Sequence, residues 1–547
     1  MNSLLALVAA MAMSMVLIPL MGRFATRLGL IDRPNERKVH TAPIPRVGGI
    51  GIVLGALIAM FFLLPVDRLM QSYLLGAVIL FVFGLWDDVS EIGHYPKFLG
   101  QLIAVLIVVL YGGLYVVSFP FVPGGEIPPV VGIPFTVFAL VGMINAINHS
   151  DGLDGLAGGE SMFSLGAIAL LSFLAKDLMP LTMALTVIGG VLGFLRYNTH
   201  PARVFMGDSG SQFLGFTLGF LAIVLTQNTE PDLSPAVVLP LLGLPAIDII
   251  VVFWKRARGH LSLFKATRNH VHHRLLDLGF VHRESVVIIY SLQMIFVTSG
   301  ILLRYESNYL IVFVYLLLAT VIFGVLNLAE RSGWRLADRH NNAAEYNKVM
   351  AHDILRNVLV VVPRRFLSIG IPLYLIGTSL IIERVPADFA KMALLVSGLM
   401  SLELFFDRNA HSIMRRALIY ITAAFVVYLG LNYMPPWLHF MERFIGTFFI
   451  LTAVAFAAAV KFSPRRRKAE FNTTATDYLV VLSLLAVLVA SKGDFWGNEW
   501  ITFVVQMVVV FYGCELLITE KRSRWGGLSI SALVTAIILT VRGILLV

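Results

Sequence analysis

Residues 130–158 read VVGIPFTVFALVGMINAINHSDGLDGLAG. The first part, 130–146, is apolar and of bilayer-spanning length. It runs straight into Asn145, Asn148, His149, Asp151 and Asp154. Amides and carboxylates beside a bilayer-length run are costly unless they bind ions or do chemistry. Asp151 and Asp154 lie three residues apart, each followed by glycine. That spacing lets backbone approach a ligand while carboxylates hold a cation. The stretch therefore reads as a membrane helix ending in a polar site.

Runs of this kind recur along the whole chain of 547 residues, which is 58% hydrophobic and only 14% charged. With a mean hydropathy of +0.83, this predicts an all-α polytopic membrane protein, a helical bundle. A β-barrel is excluded, because barrel strands are short and alternate polar with apolar. Eleven spans are expected in a core of residues 1–330: 3–22, 47–65, 70–86, 98–117, 130–146, 160–175, 178–195, 210–226, 234–254, 285–303 and 308–328. A connector follows at 331–365, then a membrane extension at 366–547 with seven spans near 366–383, 387–406, 414–433, 442–460, 477–491, 499–518 and 527–546. The first run, from Ser3 to Met21, has no basic stretch before it and no small-residue cleavage site, and reads as a retained helix. The single cysteine, Cys514, rules out an intramolecular disulfide and a cysteine zinc site. The net charge of +9 fits loops facing anionic lipid better than nucleic acid.

The loops divide by charge. Arg33, Arg37, Lys38, Arg46, Lys97, Arg196, Arg203, Lys255, Arg258 and Arg268 fall on one side; Arg68, Lys176 and Arg304 are nearly all the other side offers. The positive-inside rule makes the first set cytoplasmic and puts both termini outside. Every polar motif then faces the cytoplasm.

Five such motifs stand out. RKVHTAPIPRVGG (37–49) sets basic residues and paired glycines at a helix entry, which suits phosphate but also an ordinary anchor. GLWDDVSEIGHYPKFLGQ (84–101) places Asp87 and Asp88 at a helix end, where carboxylates oppose the macrodipole. Adjacent side chains diverge, so one carboxylate suits a metal or phosphate-bearing substrate while the other orients Lys97. The opening stretch is the third. RYNTHPARVFMGDSGSQFLG (196–215) carries Phe205 and the metal-competent Asp208. RNHVHHRLL (268–276) sets His270, His272 and His273 between Arg268 and Arg274. With no cysteine near and arginines flanking, it suits a cationic clamp on diphosphate better than zinc. Together the five describe phosphoryl transfer between a soluble nucleotide and a membrane-embedded phosphate.

The ordered motifs RKVHxxPIPRxGG, DDxxE…K, NAxNxxDGLDGLA, PAxxFMGDSGS and HxHHRLL resemble the polyprenyl-phosphate N-acetylhexosamine-1-phosphate transferases over about residues 1–330. The resemblance implies transfer of a sugar 1-phosphate from a UDP-sugar to undecaprenyl phosphate, with release of UMP, at the cytoplasmic face of a bacterial inner membrane. It implies Mg²⁺, with Mn²⁺ as a substitute, held by Asn148 and Asp208. It places Asp87 and Asp88 near the lipid phosphate, Lys38 and Lys97 near the phosphates, and Asp151 in the metal region. Asp154 aligns with the nucleobase contact and Phe205 with the aromatic that stacks on uracil. Arg268, His270, His272, His273 and Arg274 match the loop that grips diphosphate and sugar. The HxHHRL pattern resembles the N-acetylglucosamine branch, because the muramoyl-pentapeptide branch has histidine where this chain has Arg274; GalNAc and diacetamido-hexoses remain alternatives. His149 and Ser150 depart from the family pattern. The extension has no counterpart in it, and suits lipid handling, partner docking, homodimer formation or a plain structural bundle. A transporter or flippase, and a non-catalytic lipid-binding subunit, are the competing classes. A transporter's polar groups are expected near the bilayer midplane, whereas these gather at helix ends.

Overall fold

The computed structural model describes residues 2–33, 43–120, 122, 125–229, 233–259, 269–336, 361–406, 413–435, 437, 441–461, 498–520 and 526–545. They divide into two compact units, one within 2–336 and one within 361–545. The first contains α1 (Asn2–Leu28), α2 (Gly48–Leu63), α3 (Arg68–Ser90), α4 (His94–Leu106), α5 (Pro129–Ser150), α6 (Leu156–Leu174), α7 (Leu178–Asn198) and α8 (Gly207–Val224). It continues with α9 (Val238–Arg258), the short α10 (Val271–Asp277), α11 (His282–Leu302) and α12 (Asn308–Arg331). Each of the eleven expected core spans is a helix. Ten of these helices carry a window long and apolar enough to cross a membrane, α4 only together with the π-helical turn Ile107–Tyr111 that continues it, and α2, at 16 residues, is shorter. The protein is a multi-pass helical membrane protein.

Helix starts follow local chemistry. Asp67 accepts a hydrogen bond from Met70 N at 2.7 Å to cap α3, and Asp177 one from Met179 N at 3.2 Å to cap α7. Helix α8 is the buried axis, packed by α3, α5 and α2. Helix α9 is broken at Gly243, φ 54° and ψ −128°, two residues before Pro245. Backbone groups freed inside a bilayer must find partners. Gln293 Oε1 of α11 accepts from Leu244 N at 2.8 Å, and Tyr315 Oη of α12 donates to Gly243 O at 3.1 Å.

The only named strands among the described residues are two-residue β1 (Ile31–Asp32) and β2 (Ile44–Pro45), paired antiparallel. They lead into α2, whose first N–H groups are already used: Gly48 N donates to Phe205 O at 2.9 Å and Gly49 N to Met206 O at 2.8 Å. Of the two readings of this motif, phosphate entry or ordinary anchor, the paired glycines fit the anchor: they hold the segment carrying Phe205 and Asp208.

The second unit contains α13 (Val362–Ile381), α14 (Ala387–Phe406), α15 (Ile413–Asn432), α16 (Met441–Lys461), α17 (Asn498–Glu520) and α18 (Gly527–Leu545). Six of the seven expected spans are thus helices; the one at 477–491 lies outside the described residues. Leu367, Ile371, Ile419, Ala423, Val510, Cys514 and Leu539 form its core. Arg542 donates to the carbonyls of Leu380 and Ile382, the last turn of α13 and the residue after it, groups a helix leaves unpaired.

Candidate active site

The ends of α3, α5 and α7 and the starts of α4, α8 and α11 surround a cavity of about 1980 Å³. Its floor is polar: Asp87, Asp88, Lys97, Asn148, Asp151, Asp154 and Asp208 all line it. Its wall is apolar, with Phe98 and Leu102 of α4, Phe135 and Phe138 of α5, and Ile249 and Phe253 of α9.

Lys97 Nζ stands 2.9 Å from Asp87 Oδ2 and 2.5 Å from Asp208 Oδ2, joining two motifs 120 residues apart. Gln212 Nε2 donates to Asp208 Oδ2 at 3.3 Å, Gln101 Nε2 to Gln212 Oε1 at 3.2 Å, and Asn145 Nδ2 to Gln101 Oε1 at 2.8 Å. Asn148 Nδ2 donates to Ser211 Oγ at 2.9 Å. These amides fix the angle of the carboxylate; Gln101 and Gln212 were not assigned to the site from sequence, because only folding brings α4 against α8.

The Asp87–Asp88 pair splits. Asp87 faces Lys97. Asp88 accepts from Asp208 N at 2.8 Å, Ser209 N at 3.1 Å and Ser209 Oγ at 2.7 Å, so it anchors the first turn of α8. Asp88 also lines the cavity, on the side where the resemblance sets the lipid phosphate, so its bonds to α8 add a positioning contact to that expectation. Gly84 permits this: a Cβ there would lie 2.6 Å from Ser209 Cα and 2.7 Å from its nitrogen.

Asp151 lies among carboxylates. Burial first, then the charges of Asp208, Asp88 and Asp154, push it up to about 7. Excess negative charge facing a cavity suits a cation. The side-chain oxygens of the lining residues Asp208, Asp87, Asp151 and Asn148 are hard donors without a thiolate, and that chemistry fits Mg²⁺.

The nucleotide-side residues expected from sequence line the same cavity. Asp154 Oδ2 accepts from His200 Nδ1 at 2.6 Å and Ala202 N at 3.0 Å, with His282 Nε2 at 3.9 Å. Asn198 Oδ1 accepts from Gly155 N at 2.8 Å and steadies the loop. Phe205 is on the wall near them.

The histidine loop departs most from expectation. His273 lines the cavity, but His270, His272 and Arg274 do not. His270 Nδ1 is 2.7 Å from Asp248 Oδ2, Val271 N donates to Asp248 Oδ1 at 3.2 Å, and the His270 ring stacks on His149 at 5.2 Å. Asp248, a lone carboxylate in the apolar run of α9, was missed from sequence; its isolation was the available signal. His272 is buried, and burial followed by its histidine neighbours lowers its pKa, so it is neutral at pH 7. It packs on Gly152, where a Cβ would lie 2.3 Å from Nε2. Arg274 is turned away: Nε and Nη2 donate to Glu330 at 2.6 and 3.0 Å, and Nη2 also to Asn327 at 2.7 Å. It ties α10 to α12 rather than gripping diphosphate, because Glu330 provides a bidentate carboxylate. Arg274→Gln is therefore expected to lower the melting temperature in detergent while leaving the Kd for UMP within about threefold, a change under 1 kcal/mol. A large loss of UMP affinity in a stable variant would return Arg274 to the ligand. Lys38 and Arg268 lie outside the described residues. Arg256, absent from the expected set, is buried at the cavity.

Residues 70–226 match the glycosyl transferase family 4. The chain is 34% identical over 333 residues to a probable undecaprenyl-phosphate N-acetylglucosaminyl 1-phosphate transferase of Bacillus subtilis, covering 60% of this chain and 91% of that relative. It is 33% identical to the decaprenyl-phosphate N-acetylglucosaminephosphotransferase of Mycobacterium leprae, over 50% of this chain and 76% of the relative. It is 29% identical to the undecaprenyl-phosphate alpha-N-acetylglucosaminyl 1-phosphate transferase of Escherichia coli O157:H7, over 58% and 87%.

Proposed function

The chain belongs to the glycosyl transferase family 4 of polyprenyl-phosphate sugar-1-phosphate transferases, and from that premise we propose that it transfers N-acetylglucosamine 1-phosphate from UDP-GlcNAc to undecaprenyl phosphate. The products are undecaprenyl-diphospho-GlcNAc and UMP, and the lipid product starts a cell-envelope polysaccharide. The reaction takes place at the cytoplasmic face of a bacterial inner membrane, the side to which the basic loops assign the polar floor. The observation that carries this reading is one cavity with a carboxylate–lysine floor and an apolar wall, so phosphate and isoprenoid have adjoining surfaces.

An oxygen of the lipid phosphate attacks the β-phosphorus of the UDP-sugar. A new P–O bond forms there as the bond to the bridging oxygen of UMP breaks. The sugar C1–O bond is untouched, so anomeric configuration is retained. One phosphoanhydride replaces another, and UMP reverses the reaction. Lys97, held by Asp87 and Asp208, brings positive charge to two anions that repel. Asp87 positions the lipid phosphate, which is already ionised near pH 7 and needs no strong base. Asp154 and Phe205 take the nucleobase, while His273 and Arg256 face the diphosphate and sugar. Mg²⁺, held by Asp208 and Asn148, supplies neutralisation of the phosphate charge when bound.

Purified full-length chain incubated with labelled UDP-GlcNAc, undecaprenyl phosphate and Mg²⁺ is expected to release UMP and label the lipid, both dependent on the metal. Movement of lipid across vesicles without UMP release would overturn the proposal in favour of transport.

A further inference from the structure

We propose that Asp154, His200 and His282 form a second metal site, for a divalent ion of the Zn²⁺ class, at the nucleotide end of the cavity, and that metal bound there excludes the nucleobase. The three residues come from the loop after α5, the segment after α7 and the first residue of α11. Their ligand atoms all lie within 4.8 Å of one another. His200 Nδ1 is 2.6 Å and His282 Nε2 is 3.9 Å from the same atom, Asp154 Oδ2. The two imidazoles stack at 4.1 Å with 24° between planes, and His282 Nε2 also lies 3.4 Å from the Asp154 backbone oxygen, so one ring turns about its side-chain bonds before both nitrogens meet one ion. Ala202 N holds that oxygen in place from the backbone at 3.0 Å. All three residues line the cavity and are partly exposed, so an ion has a path in.

Ligand chemistry separates this cluster from the floor. Zn–N and Zn–O bonds are about 2.0–2.2 Å, which sets tetrahedral ligands about 3.3 Å apart. The His200 contact has to open and the His282 contact to close, each by less than about 1 Å, within reach of side-chain rotation. Two imidazoles and one carboxylate favour Zn²⁺ over Mg²⁺, whereas the all-oxygen floor favours Mg²⁺. Three protein ligands leave a fourth position for water. The neighbouring Arg283 opposes a cation, and the Asp151 carboxylate, within electrostatic reach of Asp154, works against it. Exclusion of the nucleobase rests on the assignment of Asp154 under Proposed function; the metal site itself does not.

Tag-free full-length protein in detergent with excess Mg²⁺ is titrated with ZnCl₂ by calorimetry, and with CoCl₂ by visible absorption. The native chain is expected to bind Zn²⁺ at this site and to show cobalt d–d bands of a nitrogen–oxygen site. His282→Gln is expected to weaken Zn²⁺ binding on the order of tenfold or more, whereas His282→Cys, which supplies a thiolate, keeps it. A merely structural histidine does not separate Gln from Cys. Equal affinity in native and His282→Gln protein overturns the site, and the Cys variant tells loss of a ligand from loss of fold. UMP is expected to displace Zn²⁺, and Zn²⁺ to raise KM for UDP-GlcNAc at constant kcat. Zn²⁺ binding that saturating UMP leaves unchanged overturns the exclusion; this binding readout holds even in a preparation without turnover.

Discussion

Asp208→Asn is expected to purify as a folded protein with transfer reduced on the order of 10²–10³-fold or more. The substitution keeps the size of the side chain and an oxygen for Gln212 Nε2 to donate to. It removes the charge that holds Lys97 at 2.5 Å, which is also the negative charge offered to the proposed Mg²⁺ beside the neutral Asn148. The fold is spared because the start of α8 is fixed through the backbone nitrogens of Asp208 and Ser209, which bond to Asp88. Two measurements check this: UMP release across a Mg²⁺ titration, and the melting temperature with and without the metal. Near-native Mg²⁺-dependent turnover would falsify the metal assignment of Asp208.

Asp88→Ala should behave differently, losing stability and activity together. Three donors at the first turn of α8 converge on that carboxylate, which is 4% exposed. Each donor left unpaired costs about 1–3 kcal/mol, and the turn that moves is the one presenting Asp208. A fall in melting temperature and on the order of a hundredfold loss of kcat are expected, since small misplacements at a reacting centre cost that much. Asp88→Asn keeps one acceptor oxygen and should fall between. An Asp88→Ala protein that melts like the native chain but has lost turnover would put this carboxylate back on the lipid phosphate.

Much of this architecture is written locally. The span at 130–146 is apolar and bounded by Pro129 and the polar run from Asn145, so α5 was legible from its own residues. The same holds for α3, capped by Asp67 at its start. Residues that meet the cavity through their own loop were legible too: Asn148, Asp151 and Asp154 share one turn, and Lys97 opens α4 directly after the aspartate pair. Contacts stayed unread where a partner lies far along the chain. Nothing near Arg274 announces Glu330, 56 residues on. Nothing near Asp88 announces the nitrogen of Ser209, 121 residues on. Nothing near Gly48 and Gly49 announces that the carbonyls of Phe205 and Met206 occupy their nitrogens.

The stretch at 130–158 by itself determined a membrane helix that ends in a polar turn, because hydropathy and the cost of intramembrane charge are properties of residue type. It also determined which residues are chemically able to act. Tertiary structure alone decided which of them line the cavity and which are bonded to distant parts of the chain. A carboxylate or guanidinium looks the same in sequence whether it faces a ligand or is consumed by buried donors and acceptors. The difference lies in long-range hydrogen bonds, as those that draw Asp88 onto α8, Asp248 onto His270 and Arg274 onto Glu330 show.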